Sequence, residues 1–208
     1  MKQQRGDTLY AKKLVFVFVS VVMASFLISC SASSKFMIKQ ESAESNGYEK
    51  NTCKVVFLRP VSVAFAFAPV LLTSDGKYLG ESLAKSQFTV SLPAGKYTFI
   101  SWSENTHAMK ANLKAGKTYY VRLMVHMGTW SPRIHLMPLK PGSELWNKKD
   151  EFLKVTTAYK PDRDAGQKEM IDARAKEAKE VIESGLKRFE SYTDKEKNER
   201  SMNPEDGI

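Results

Sequence analysis

Phe88, Val90 and Leu92 alternate with Gln87, Thr89 and Ser91, and Val121, Leu123 and Val125 alternate with Arg122, Met124 and His126. A period of two puts one set on a buried face and the other outside, which is the pattern of a half-buried strand. Comparable short runs recur through residues 53–139: CKVVFLRP (53–60), VAFAFAPVLLT (63–73), YLGES (78–82), QFTVSL (87–92), KYTFISWS (96–103), HAMKANL (107–113), TYYVRLMVHM (118–127) and RIHLMPL (133–139). Pro69 marks a break or an edge in the second run. Turn chemistry separates the runs at Ser74-Asp75-Gly76-Lys77, Pro93-Ala94-Gly95-Lys96, Lys114-Ala115-Gly116-Lys117 and the loop GTWSP (128–132). Short strands at this spacing predict a mainly β domain over 53–139, an antiparallel β-sandwich of the immunoglobulin-like or transthyretin-like kind.

After Pro141-Gly142 the apolar period lengthens to three or four. Ser143 is placed to cap a short helix, SELWNKKDEFLKV, whose Leu145, Trp146, Phe152 and Leu153 can pack back, and Lys160-Pro161-Asp162 breaks it. A charged helix is then predicted over 165–200. Ile171, Ala175, Ala178, Ile182 and Phe189 form its apolar stripe, widened by Met170, Val181 and Leu186. Asp172/Lys176 and Glu183/Lys187 support the exposed face. Gly185 weakens the middle by about 1 kcal/mol relative to Ala. The stripe is short and Ala-rich for a coiled coil, so the helix either packs on its own domain or recruits an envelope protein partner or a second copy. The expected helical extension covers 140–193, and DKEKNERSMNPEDGI (194–208) reads as a disordered tail.

The start of the chain reads differently. MKQQRGDTLYAKK is polar and basic, and LVFVFVSVVMASFLI (14–28) is an apolar run of 15 residues. A spanning helix needs about 20. The combination predicts a secretory signal over 1–29. Leu27-Ile28-Ser29-Cys30 resembles the lipobox of bacterial lipoproteins. The resemblance implies a diacylglyceryl thioether on Cys30, cleavage before it and acylation of the new amino terminus. Several acyl chains anchor far better than one. Ser31, where Asp would favour retention in the inner membrane, favours the outer membrane facing the periplasm. The alternative is an uncleaved anchor helix, and either places the remainder outside the cytoplasm. Residues 30–52, rich in Ser, Glu, Lys and Asn, are expected to be a flexible tether.

Charge narrows the partners. The chain carries 32 Lys and Arg against 23 Asp and Glu, a net charge of +9. Beyond residue 29 the balance is 28 basic to 22 acidic residues, spread along the chain without aromatics interleaved on one element. That argues against nucleic acid.

The order of an apolar strand ending in Arg59-Pro60, then Asp75-Gly76-Lys77, Gly80, Pro93-Ala94-Gly95-Lys96 and Ala115-Gly116-Lys117-Thr118-Tyr119-Tyr120 resembles bacterial lipoproteins carrying the domain of unknown function DUF2846. The resemblance covers about 55–139. It implies a small β-sandwich on a lipid anchor and brings no catalytic residues with it.

Candidate chemistry is sparse. No GxSxG elbow, HExxH or CxxC spacing and no Gly-rich phosphate loop is present, so no enzyme activity and no cofactor is predicted. Each histidine has a methionine two residues away: His107/Met109, Met124/His126 and His135/Met137. A hairpin pairing His126 with His135 and Met124 with Met137 would gather two imidazoles and two thioethers, ligands suited to Cu(I) or Ag(I). Trp102, Trp130 and Trp146 could line a sugar platform, and Trp130 in the loop is the first candidate for a surface contact. Cys53, with no partner once Cys30 is lipidated, is expected to fill the core. The function expected is a lipid-anchored binding or scaffolding module of the cell envelope, with soft-metal or small-ligand binding and carbohydrate or cell-wall binding as alternatives.

Overall fold

A computed structural model describes residues 34–41, 47–61, 68–127 and 132–208. The signal segment, Cys30, Trp130 and residues 62–67 lie outside the described residues, as do the side chains of His126, Met127 and Pro132. The fold is mainly β, in two mixed sheets, with helices toward the C-terminal end. The strands are β1 (Met37–Lys39), β2 (Thr52–Arg59), β3 (Val70–Thr73), β4 (Tyr78–Glu81), β5 (Ser86–Pro93), β6 (Gly95–Trp102), β7 (Thr106–Leu113), β8 (Thr118–Met127), β9 (Pro132–Pro138), β10 (Thr157–Pro161) and β11 (Ser201–Met202). The first sheet runs β1-β10-β5-β2-β8-β9 and the second β11-β7-β6-β3-β4.

A wholly antiparallel arrangement was expected and does not hold. β2 pairs with β8 in parallel, as β10 does with β5 and β11 with β7. Period-two alternation fixes which face a side chain occupies, but leaves the neighbouring strand and its direction open. Two of the parallel pairs involve strands outside residues 53–139 that have no alternation long enough to announce them.

The two sheets enclose one apolar core. Val55, Phe57, Phe88, Val90, Val121 and Leu123 from the first meet Leu71, Leu79, Phe99 and Met109 from the second. Phe57 stacks on Phe88 at 5.1 Å and meets Phe99 edge-on at 5.5 Å. Cys53 is fully buried, its Sγ donating to the Leu92 carbonyl at 3.4 Å, and burial pushes its thiol up to about 11. It is core filler, as its apolar neighbours indicated.

Each sheet has an outer layer. α1 (Glu144–Asn147) and α2 (Lys149–Val155) cover the first, packing Phe152 on Val56, Leu58 and Leu139. Ser143 accepts from the Trp146 N–H at 3.2 Å, the predicted cap. The chain does not then pass directly into a helix: Thr157–Pro161, expected only to break one, is the strand β10.

The expected continuous helix over 165–200 is divided into α3 (Arg163–Gly166), a π-helical turn (Gln167–Ile171), a 3-10 turn (Asp172–Arg174), α4 (Ala175–Glu190) and α5 (Asp194–Glu199). The cause is a clamp. Gln167 Oε1 accepts from the Tyr78 N–H at 2.8 Å, while its Nε2 donates to the Gly76 carbonyl at 3.1 Å and to Asp172 Oδ1 at 2.9 Å. Holding that side chain on the β3–β4 turn distorts the local helix, as inserted contacts do. α4 lays its predicted stripe, including Ala178 and Phe189, on Val70, Leu72, Ile100 and Ala108 of the second sheet. Gly185 sits where a Cβ would lie 2.9 Å from Thr106 Cγ2, so this glycine lets the helix approach the sheet. Among the described residues no helix is long and apolar enough to cross a membrane.

Two segments expected to be unstructured are built into the fold. Within the expected tether 30–52, Phe36 and Met37 are buried and β1 pairs with β10. Within the tail 194–208, Thr193 and Glu196 form a capping box, β11 joins β7, and Met202 enters the core between the sheets. Ile208 and Thr118 exchange backbone hydrogen bonds at 2.8 and 3.1 Å. Polar composition concealed both segments because much of what they contribute is backbone pairing at sheet edges, which carries no side-chain signature.

A Cβ on Gly166 would run into the buried Tyr78 ring. In an exposed helix Gly→Ala stabilises by about 1 kcal/mol. Here Gly166→Ala is expected to destabilise by about 2 kcal/mol through overpacking, read as a lowered urea midpoint at unchanged slope.

Candidate functional site

The β8–β9 hairpin forms, and Ile134 and Leu136 face the core as their alternation requires. Its register differs from the expected one. Met124 pairs with His135, Arg122 with Met137 and His126 with Arg133, so the pairs His126/His135 and Met124/Met137 are not made. The displacement is two residues on one strand. A shift of two keeps every side chain on its face, so alternation could not have detected it. Met124, His135 and Met137 are half-buried. Arg122, beside Met137, covers the Phe152 ring at 4.5 Å. Among the described residues no group of three or more His, Cys, Asp or Glu is arranged to hold a metal ion.

His107, two residues before Met109, serves the edge of the first sheet. β9 is the free edge of the first sheet, and its outward N–H groups need acceptors. The Ile134 N–H donates to Asn105 Oδ1 at 3.1 Å and the Leu136 N–H to His107 Nδ1 at 3.1 Å. Donors two residues apart meet acceptors two residues apart. With Nδ1 accepting, the neutral ring carries its proton on Nε2. His107 is fully buried. Burial first, then the charges of His135, Arg200 and Arg188, push its pKa down to about 3. Its ring lies 4.8 Å from that of His135 and 6.1 Å from that of Tyr192, which Arg200 covers at 4.4 Å.

Three buried polar atoms converge at this corner. His107 Nε2, Ser101 Oγ and Asn105 Nδ2 have no hydrogen-bond partner among the described residues. Ser101 and His107 are cross-strand neighbours, a serine beside an imidazole. Both are fully buried, however, so no substrate carbonyl reaches the hydroxyl from solvent. The corner is a latch between the sheets. The spacing Asn-x-His was visible in the sequence but has no meaning until β9 is known to be an edge.

An accessible polar groove lies on the outer face of the second sheet. α4 covers its apolar half. The other half is bare and polar, with Lys96 and Thr98 from β6 and Lys110 and Asn112 from β7. Ser201 and Asn203 line the far wall, enclosing a groove of about 460 Å³. Lys110 Nζ is held by Glu190 at 2.8 Å and lies 4.7 Å from the Phe189 ring centroid. Sequence reasoning missed this groove because one wall comes from the segment expected to be disordered.

Of the residues that carry the family resemblance, Arg59 is buried and donates through Nη1 to the Ser82 carbonyl at 2.8 Å, and Gly76 and Gly116 turn the chain at positive φ. These are structural duties. Trp146 packs against the cluster around Phe152 and meets Tyr120 edge-on, while Trp102 is half-buried beneath Arg174 at 4.3 Å, so these two do not form a joint platform. Comparison with known proteins gives no match: no family model, no curated protein and no solved structure matches the chain.

The latch predicts a pH dependence. The folded pKa of His107 lies below the unfolded value of 6.5. Above pH 6.5 both states are neutral and the stability is complete. As pH falls from there toward 3 the unfolded chain takes up a proton that the folded chain refuses, so stability declines, by about 2 kcal/mol at pH 5. His107→Asn keeps an acceptor for Leu136 without titrating. Urea unfolding at pH 7 and pH 5 is expected to show the loss in the wild type and most of it gone in the variant. An equal loss in both would exclude His107 as its source.

Proposed function

We propose that the protein is a lipid-anchored, non-catalytic binding module of the bacterial cell envelope, held at Cys30 in the outer membrane facing the periplasm. The observation that carries the location is Leu27-Ile28-Ser29-Cys30 at the end of an apolar run of 15 residues behind a basic segment. Two facing sheets, with Arg59 and the glycine turns at Gly76 and Gly116 in structural roles, support a likeness to DUF2846-bearing lipoproteins, and the strand spacing supports a sandwich of the immunoglobulin-like or transthyretin-like kind.

The groove on the second sheet supports the binding role. Hydroxyls, amides and two ammonium groups line it, a chemistry suited to a hydroxyl-rich or anionic polymer such as cell-wall carbohydrate. The burial of Ser101 and His107 supports a non-catalytic reading. The apolar stripe of α4 is occupied by its own sheet, so an envelope protein partner would meet the helix on its charged face. A soft-metal reading retains one cross-strand pair, Met124 with His135, and Met137 two residues further along.

Retention on purified cell-wall sacculi tests the groove. Asn112→Trp fills it from an exposed strand position and is expected to reduce retention about tenfold, a loss of about 1.4 kcal/mol, with the thermal midpoint unchanged. A wild type that washes off, or a variant retained equally, would remove the carbohydrate assignment.

A further inference from the structure

Phe36 follows Cys30 by six residues. It is buried, meeting Tyr78 edge-on at 6.4 Å, and the next residue, Met37, accepts the Glu81 N–H on its Sδ at 3.2 Å. The chain is therefore docked at Phe36 and Met37. Six extended residues span at most about 21 Å. The first sheet, with β1 at one edge and β9 at the other, is five strand spacings wide, about 24 Å at 4.8 Å each. A leash shorter than the sheet is wide does not let the domain swing freely above a membrane.

The edge nearest the leash has a distinctive surface. Ile38 is 57% exposed on the outer face of β1, directly opposite exposed Lys160 on β10. Lys39 follows on the free edge, and exposed Lys154 and Val155 end α2 just before β10. Lys39, Lys154 and Lys160 form no ion pair among the described residues, whereas Lys35 is paired with Glu169. Isolated apolar side chains among exposed lysines suit a surface of anionic headgroups, which attracts the ammonium groups and accepts a shallow apolar contact.

We propose that the β1 edge, through Ile38, Lys39 and Lys160, rests on anionic phospholipid headgroups and fixes the orientation of the domain on the membrane. The inference rests on the anchor at Cys30. It also gives the groove a direction. β4, whose Glu81 contacts Met37, is one edge of the second sheet, and β11, which lines the groove, is the other. The groove is turned away from the lipid.

The test uses the acylated protein purified from membranes and reconstituted into phosphatidylethanolamine vesicles containing phosphatidylglycerol as a minority lipid. A nitroxide is placed at Ile38→Cys or at Arg133→Cys, an exposed position on β9. Cys53 is buried with a raised thiol pKa and does not compete for the label. The Ile38 label is expected to be several-fold less accessible to an aqueous nickel chelate than the Arg133 label. Lys39→Glu with Lys160→Glu is expected to remove much of that difference. Equal accessibility of the two labels, in a preparation whose intact mass shows acyl chains on Cys30, would overturn the orientation. A mass without acyl chains would instead overturn the anchor and the inference with it.

Discussion

Unpaired backbone at the edge of a β-sheet must be satisfied, and much of this molecule is organised around that requirement. Two sheets have four edges. The β9 edge is closed by Asn105 and His107, which accept from the Ile134 and Leu136 N–H groups. The β4 edge is closed by Gln167, which accepts from Tyr78, and by Met37, which accepts from Glu81. The remaining edges are the short strands β1 and β11, of three and two residues. Short edges offer little template for pairing with another chain. The π-helical turn, the buried histidine and the docking of Phe36 and Met37 all lie at these closures.

This constraint explains what the sequence discloses and what it conceals. Alternation at Phe88, Val90 and Leu92 and at Val121, Leu123 and Val125 places strands and faces correctly, because burial acts on each side chain separately. Partner, direction and register depend on relations between distant segments. The parallel pairing of β2 with β8 and the two-residue displacement in the β8–β9 hairpin leave the faces unchanged, so they leave no mark in the pattern. The expected His/Met pairing differs for that reason: Met124 and Met137 have different opposite numbers from those alternation allows one to draw. Composition reads 30–52 as a flexible tether and 194–208 as a disordered tail because it registers side chains. The structure uses their backbones, with Met37 and Met202 as small apolar pegs.

The helical layer follows a similar division. The stripe on α4 was legible, and it packs as a stripe should. Gly185, which propensity marks as a weakness, is the point of close approach to Thr106 and Ile100. Gly166 serves the same purpose over Tyr78. Helix propensity describes an isolated segment, whereas each of these glycines answers to a surface formed by residues far away in sequence. The groove arises from the same layering: α4 covers the apolar half of the second sheet and stops where Thr98, Lys110 and Asn112 begin.

β11 has a consequence for how the protein comes into being. Neither sheet owes its shape to local hairpins alone, and the second lacks a strand until residues 201–202 reach β7. β1 meets β10 across more than a hundred intervening residues. Closing such long loops precedes any gain from the contacts they bring, so topologies of this kind assemble slowly. A growing chain passes through most of its synthesis with edges still open, and a chain in that condition remains thin enough to be threaded through a narrow channel before it closes on itself.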